Sequence, residues 1–371
     1  MYADELLKPW LDALTSALPP MPLVDAHTHV GQHDPSGFAV ELEQLTSSLE
    51  LIDGRAVVFP LSEPEGYRQA NLTCADAAAS SDGRLTAFVR LTPDEDPDEL
   101  FEQGLAAGAG GVKLHPASDE FAVDDPRLDG VLSLCDELHL PLVVHAGPEL
   151  EGIGETALTL CRRHPGLRMT LAHCALTDLG WIWRHVEETP NLFFDTSWWG
   201  PSHLMALLEL VPPGRILNAS DLPYCTPLSS AFTTLRCGIQ AGLDDDQLAS
   251  VMGGQCLRLL DREEPLDLGP SPDHRAHPGP LLERLSSTLI AIMEPLQRGQ
   301  SPGTLLDVAR HGCKVPADHP DAPAVASIAR LIDLYDAHHE SLPQTNQFTP
   351  GWDLLAAAAT IARTPAAPLP H

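Results

Sequence analysis

The sequence predicts an α/β protein, a TIM-type (β/α)8 barrel carrying a C-terminal all-helical extension. Eight short aliphatic or β-branched runs, at 22–27, 55–60, 85–91, 111–115, 140–145, 168–173, 191–196 and 215–220, alternate with stretches of helical period. Strands separated in this way by helices pair in parallel. No glycine-rich loop follows the first run, which argues against a doubly wound open sheet. At the ends of several runs stands a histidine, lysine or aspartate, where a barrel would gather them on one face.

Taken in order, residues 1–20 form an N-terminal helix: Leu6, Leu7, Trp10, Leu11, Leu14 and Leu18 recur at helical spacing and stop at Pro19-Pro20. It is expected beneath the barrel floor as a lid. Helical segments at 40–52, 66–81, 98–108, 127–139, 153–164, 177–188, 203–210 and 228–241 separate the strands of a barrel spanning 21–262. A last helix, 245–260, starts where Asp244 can cap and Gln247 can answer it at the third helical position, and would close the ring. Residues 263–280, rich in proline and charge, read as a linker. The extension, 281–371, has helices near 281–297, 303–311, 322–341 and 350–363 and a loose tail from Thr364. It carries no chemical motif, so packing on the barrel, covering its mouth and pairing subunits all stay open. The adjacent His338 and His339 point in different directions from one helix, which argues against a metal pair.

Composition narrows the function. The 371 residues are 43 % hydrophobic, enough for a large buried core. A formal net charge of -30 and the absence of basic clusters argue against nucleic acid or an anionic membrane as partner. Eight scattered cysteines, with no Cys-X-X-Cys, read as reduced thiols, mostly in the core. The N-terminal residues lack a basic region followed by an apolar core, and no run reaches the length of a membrane span, so a soluble cytoplasmic protein is expected.

The chemistry begins at Val24-Asp-Ala-His-Thr-His29. On an extended segment residues two apart share a face, so His27 and His29 can aim both imidazoles at one point, and imidazole is the commonest ligand of zinc and related ions. Later runs end in Lys113 and His115, His145, His173, Asp195 and Asp221. Taken singly, His145 and His173 could be buried, backbone-bonded histidines, Asp221 a loop cap, and Asp195 a structural hydrogen-bonding residue. Together they form the inventory of a divalent-metal hydrolase.

The motifs Val24-Asp-Ala-His-Thr-His29, Gly111-Val-Lys-Leu-His-Pro116, Val143-Val-His-Ala-Gly147, Leu171-Ala-His173, Phe194-Asp-Thr-Ser197 and Ile216-Leu-Asn-Ala-Ser-Asp221 resemble those of the amidohydrolase superfamily, in its amidohydrolase-related branch. The resemblance covers residues 21–260. It implies a distorted (β/α)8 barrel in which His27, His29, His145 and Asp221 bind metal, Asp221 also serves as base, and His173 either ligates a second ion or polarises the substrate and steers water. Lys113 is either an unmodified lysine, pairing with a substrate carboxylate or with Asp221, or a carbamate bridging two ions. One ion is favoured, zinc by default, although manganese, iron or cobalt suit the same ligands. Gly254-Gln255-Cys256 departs from the family's Gly-Asn-Ala and is expected to affect packing only.

The resemblance implies a hydrolase of a C–N or C–O bond in a small amide, lactone or ester. A decarboxylase of an aromatic or unsaturated acid is the alternative from the same branch, and a catalytically idle barrel that binds a ligand or partner is a third. Trp198-Trp199 could wall a pocket or fill space under the C-terminal helices. Arg90 and Lys113 could meet a carboxylate, with His115 beside the substrate, while His33 is either a substrate contact or a surface residue. A homo-oligomer stays open.

Overall fold

In the computed structural model, which describes residues 2–273 and 277–370, eight parallel strands follow one another around a barrel in sequence order. They are β1 (Val24–Val30), β2 (Arg55–Pro60), β3 (Leu85–Leu91), β4 (Gly111–Leu114), β5 (Pro141–Val144), β6 (Arg168–Leu171), β7 (Leu192–Asp195) and β8 (Ile216–Leu217). β1 meets the far side of the ring through Ala26 N–H to the Asn218 carbonyl, 2.9 Å, and Asp221 N–H to the His27 carbonyl, 2.8 Å. Closure therefore comes partly from the loop after β8.

The helices are α1 (Asp4–Ser16), α2 (Leu42–Leu51), α3 (Arg68–Ala79), α4 (Pro97–Ala106), α5 (Asp129–Leu138), α6 (Ile153–Arg163), α7 (Leu179–Ile182), α8 (Pro201–Leu210), α9 (Pro227–Ala241), α10 (Asp245–Ala249), α11 (Gln255–Leu260), α12 (Pro280–Gln297), α13 (Thr304–Gly312), α14 (Ala322–His338) and α15 (Trp352–Arg363). Local chemistry sets several starts. Thr226 accepts from Ser229 N–H ahead of Pro227, and Asp244 with Gln247 forms the expected reciprocal cap. Gly104 lets α4 lie on β3, since a Cβ there would stand 2.2 Å from Val89.

Three expectations are corrected. α1 is not under the floor. It lies on the barrel flank against α2 and α9, with Asp4 bonded to Thr226 and the Trp10 indole N–H to Ser327 of α14. Its one apolar stripe has two surfaces to bury against, the barrel's outer helices and the C-terminal layer. The closing helix is not continuous: a π-helical turn at Ser250–Gly254 separates α10 from α11. A Cβ on Gly253 would come 2.8 Å from the Pro22 carbonyl, so the absence of a side chain lets the turn lie close against the start of β1. α11 then plugs the floor, where Cys256 and Leu259 join Val24, Phe88 and Phe193. Nor is the tail loose. Thr364 and Ala367 are buried, and Arg236 of α9 donates to the Thr364 and Pro368 carbonyls. A fully buried guanidinium needs acceptors, and the tail supplies them.

α15 is buried on every side from Trp352 to Ala362, packed among α12, α14, α9 and α8. A helix apolar all round belongs inside, and its alanines let neighbours approach closely. One apolar core runs from the barrel's outer helices into this layer. Gln255, the departure from the family pattern, donates to the Gly214 carbonyl and accepts from Leu266 N–H, tying the start of the 263–280 segment to the barrel. Residues 274–276 of that segment lie outside the described residues. All eight cysteines are unpaired, six of them buried, and among the described residues no helix is long and apolar enough to cross a membrane.

Candidate metal centre

Strand periodicity explains why the centre forms where it does. Near the floor the barrel interior is apolar, with Ala26, Phe88, Val143, Phe193 and Ala219 in one cluster. Two residues further along each chain, on the same face, come Arg90, His145, Asp195 and Asp221. β1 adds a twist to the rule. Its register breaks between Asp25 and Thr28, so the inward positions switch from Val24 and Ala26 to His27 and His29. A bulge of this kind re-aims side chains. Asp25, buried beneath, accepts from the backbone N–H of His27 and of Ser220 and so ties the histidine strand to the loop that carries Asp221.

Three acceptors converge at the mouth. His27 Nε2 lies 3.3 Å from His29 Nε2, and Asp221 Oδ1 is 3.1 Å from the first and 3.2 Å from the second. Their tautomers follow from their outer partners. His29 Nδ1 stands 3.1 Å from the Pro60 carbonyl, which can only accept, and His27 Nδ1 2.9 Å from Asp195 Oδ2. Both rings donate outward and turn Nε2 lone pairs inward. Ligands about 2.0–2.1 Å from a tetrahedral zinc stand roughly 3.3 Å apart, so the observed spacing fits a shared divalent ion. Among the described residues these three are the group close enough to hold one ion together.

The electrostatics agree with a cation-seeking site. Burial pulls the pKa of His29 down to about 3. Burial would raise that of Asp221, yet His27 and His29 hold it well below the carboxylate range. His27 moves the other way: burial and Lys113 lower its pKa, but Asp221 and Asp195 outweigh them.

His145 and His173 form a second pair beside this triad. His173 Nδ1 faces the Ser197 carbonyl at 2.9 Å, and His145 Nε2 faces Glu149 Oε1 at 2.7 Å. Their remaining nitrogens, His173 Nε2 and His145 Nδ1, are 2.9 Å apart and have one proton or cation to share. His173 Nδ1 lies 3.9 Å from Asp221 Oδ2, within reach of the triad's carboxylate. Asp195, read from the sequence as structural, accepts from His173 N–H as well as pairing with His27. Lys113 is fully buried with Nζ 3.0 Å from His27 Nε2, and burial lowers its pKa to about 7. His115 stacks on His145 at 3.8 Å, and burial holds its pKa well below the usual range.

Above these groups opens a cavity of about 470 Å³, a size suited to a small molecule. Trp198 and Trp199 line it, and Trp199 also meets Trp352 edge-on at 6.4 Å, so both readings of that pair hold. Arg90 lines it too, but its guanidinium is held by Asp119 at 2.9 Å. His33 is a surface residue, paired with Glu63. Sequence reasoning missed Glu149, Asp119, Tyr224 and the C-terminal contributors Gln297 and Phe348. Glu149 stands four residues after His145, the only local signal among them.

Comparison with known proteins agrees with this architecture. The family model described as amidohydrolase matches residues 24–262. No curated protein sequence matches. Similar solved structures include 5-carboxyvanillate decarboxylase from Sphingomonas paucimobilis, 15 % identical over 65 % of this chain and 99 % of that one, TM-score 0.51. Another is an uncharacterised TIM-barrel protein from Bordetella bronchiseptica, 17 % identical over 65 % and 99 %, TM-score 0.51. A third, 2,6-dihydroxybenzoate decarboxylase from Rhizobium, is 13 % identical over 65 % and 99 %, TM-score 0.50. At such identities the structures share the fold. With well over half its length matched by the family model, the chain belongs to the amidohydrolase family.

Proposed function

We propose that this chain is a metal-dependent hydrolase that cleaves a C–N or C–O bond of a small amide, lactone or ester. The observation that carries the reading is the meeting of two imidazole lone pairs and one carboxylate oxygen, from opposite ends of the barrel's sequence, within 3.1–3.3 Å of one another. His27, His29 and Asp221 would hold the ion, whereas His145, the fourth ligand implied by the family pattern, lies outside this group with its ring nitrogens facing Glu149 and His173 and would have to turn from one of them to join it. A bound divalent ion polarises an acyl oxygen and lowers the pKa of water.

The protein groups do the rest. Asp221 Oδ2 is free of the triad and can take a proton from attacking water and return it to the leaving group. Asp195 keeps His27 in the tautomer that offers Nε2, and Ser197 does the same for His173 through its carbonyl. Zinc suits two imidazoles and a carboxylate, and one ion is the favoured count. The His145–His173 pair beside Lys113 offers a second position if Lys113 is carbamylated.

Decarboxylation of an aromatic or unsaturated acid is the second reading. It is favoured by the activities of two similarly folded proteins, both decarboxylases of aromatic acids. Elemental analysis of the purified protein, joined to a substrate screen, tests both. One zinc per chain with release of a carboxylic acid from an ester, lactone or amide is the expected result. Release of carbon dioxide would transfer the assignment to the decarboxylase, and protein that takes up no divalent ion would end both.

A further inference from the structure

Part of the cavity lining is aromatic. Trp198, Trp199, Tyr224 and Phe348 form it, and the polar tip of the tyrosine is spent elsewhere, donating to Asp34. Aromatic rings therefore make up most of this part of the lining. A charged group placed against them would lose hydration without gaining a partner, whereas an apolar ring would stack or meet them edge-on.

Phe348 and Gln297 on this wall belong to the C-terminal layer, outside the part of the chain that the family model matches. Phe348 is fixed at the corner where α12 ends: Thr349 N–H donates to the Leu296 carbonyl at 2.8 Å, and Gln344 Nε2 donates to the Phe348 carbonyl at 2.7 Å. Its ring stands 4.9 Å from Phe38 of the loop after β1 and 5.3 Å from Trp352 of α15. Phe38 in turn meets Tyr224, after β8, at 4.5 Å. Phe348 thus joins the aromatic pair formed by the first and last loops of the barrel to Trp352 of the C-terminal layer. It is itself only half-buried and lines the cavity.

We propose that the C-terminal helical layer completes the substrate pocket, and that Phe348 is a specificity-determining residue that receives an uncharged apolar ring at the end of the substrate remote from the reacting bond. The inference rests on the metal-centre reading for the position of the reacting end. Substrate preference is then set by a segment added to the family's barrel.

Two phosphonates with the same metal-seeking head, methylphosphonate and benzylphosphonate, isolate the ring. Calorimetric titration of the zinc-loaded full chain is expected to give about tenfold tighter binding of the benzyl compound. Phe348→Ala should reduce that preference to about twofold while leaving methylphosphonate affinity unchanged, and Phe348→Leu should retain most of it. Thermal melting of both variants separates local loss from misfolding. A preference undiminished in Phe348→Ala, or benzylphosphonate that binds no better than methylphosphonate, overturns the proposal. Binding that persists unchanged without zinc overturns the metal-centre reading instead, while the ratio of the two affinities still judges the wall.

Discussion

At the barrel mouth Asp195 and Asp221 are held below the usual carboxylate range, whereas at the seam between α1 and α15 the carboxyls of Asp4 and Asp353 are pushed up to about 6 and about 7. Burial acts in the same direction on all four, and the partners make the difference. Asp195 and Asp221 face imidazoles. Asp4 faces the hydroxyls of Thr226 and Ser48, and Asp353 accepts one N–H, from Ala3, with its other oxygen unpaired. Asp353 stands in the first turn of α15 and at the start of α1, yet two helix N-termini do not offset its desolvation. The mouth is built to keep negative charge and lone pairs in reach of a cation. The seam is built to keep protons.

The sharpest way to break this contrast is to remove an acceptor from the mouth. Loss of a group that merely orients a ligand lowers metal affinity about 10–100-fold, and loss of the ligand itself is expected to exceed that. His27→Ala should therefore weaken zinc by more than about 100-fold, measured by competition with a chromophoric chelator, and Asp353→Asn should leave it unchanged. A smaller effect is expected of Asp195→Asn. The three converging atoms stay, but an asparagine can present either its oxygen or its amide to His27 Nδ1, so the tautomer is no longer enforced. Zinc affinity should fall about 10–100-fold, and equal affinity in the variant would mean that Asp195 serves packing alone.

The sequence carries the mouth far better than the seam. Buried parallel strands read as aliphatic runs, and a polar residue at the end of such a run is conspicuous, which is why His27, His29, Lys113, His145, His173 and Asp221 are all identifiable before folding. What that reading lacks is direction. That His145 turns toward His173 while His27 and His29 face Asp221 depends on the bulge in β1 and on Glu149, neither visible in a run of letters. The seam fails for another reason. An amphipathic stripe says that α1 packs but not against what, and Thr364-Pro-Ala-Ala-Pro reads as a tail because the donor that orders it, Arg236, lies 128 residues away. Phe348 sits in a polar stretch, Gln344-Thr-Asn-Gln-Phe-Thr-Pro350, whose only signal is one aromatic residue.

The seam makes its own prediction, smaller than those for the mouth and opposite in its dependence on acid. A carboxyl group whose pKa rises on folding binds its proton more tightly in the native chain, so its contribution to stability is complete below the unfolded value of 3.8 and is lost as the pH climbs through about 7. At about 1.4 kcal/mol per unit, Asp353 accounts for a loss on the order of 2–4 kcal/mol between acid and pH 8. Asp353→Asn keeps an oxygen for the Ala3 N–H and has no proton to lose. Its melting temperature should exceed that of the native chain at pH 8, and the gap should narrow as the pH falls below about 7, where the native carboxyl regains its proton, and close only below the unfolded value of 3.8. Parallel melting curves across that range would mean that Asp353 is ionised in the folded protein, and the distinction between a charge-keeping mouth and a proton-keeping seam would fail at the seam.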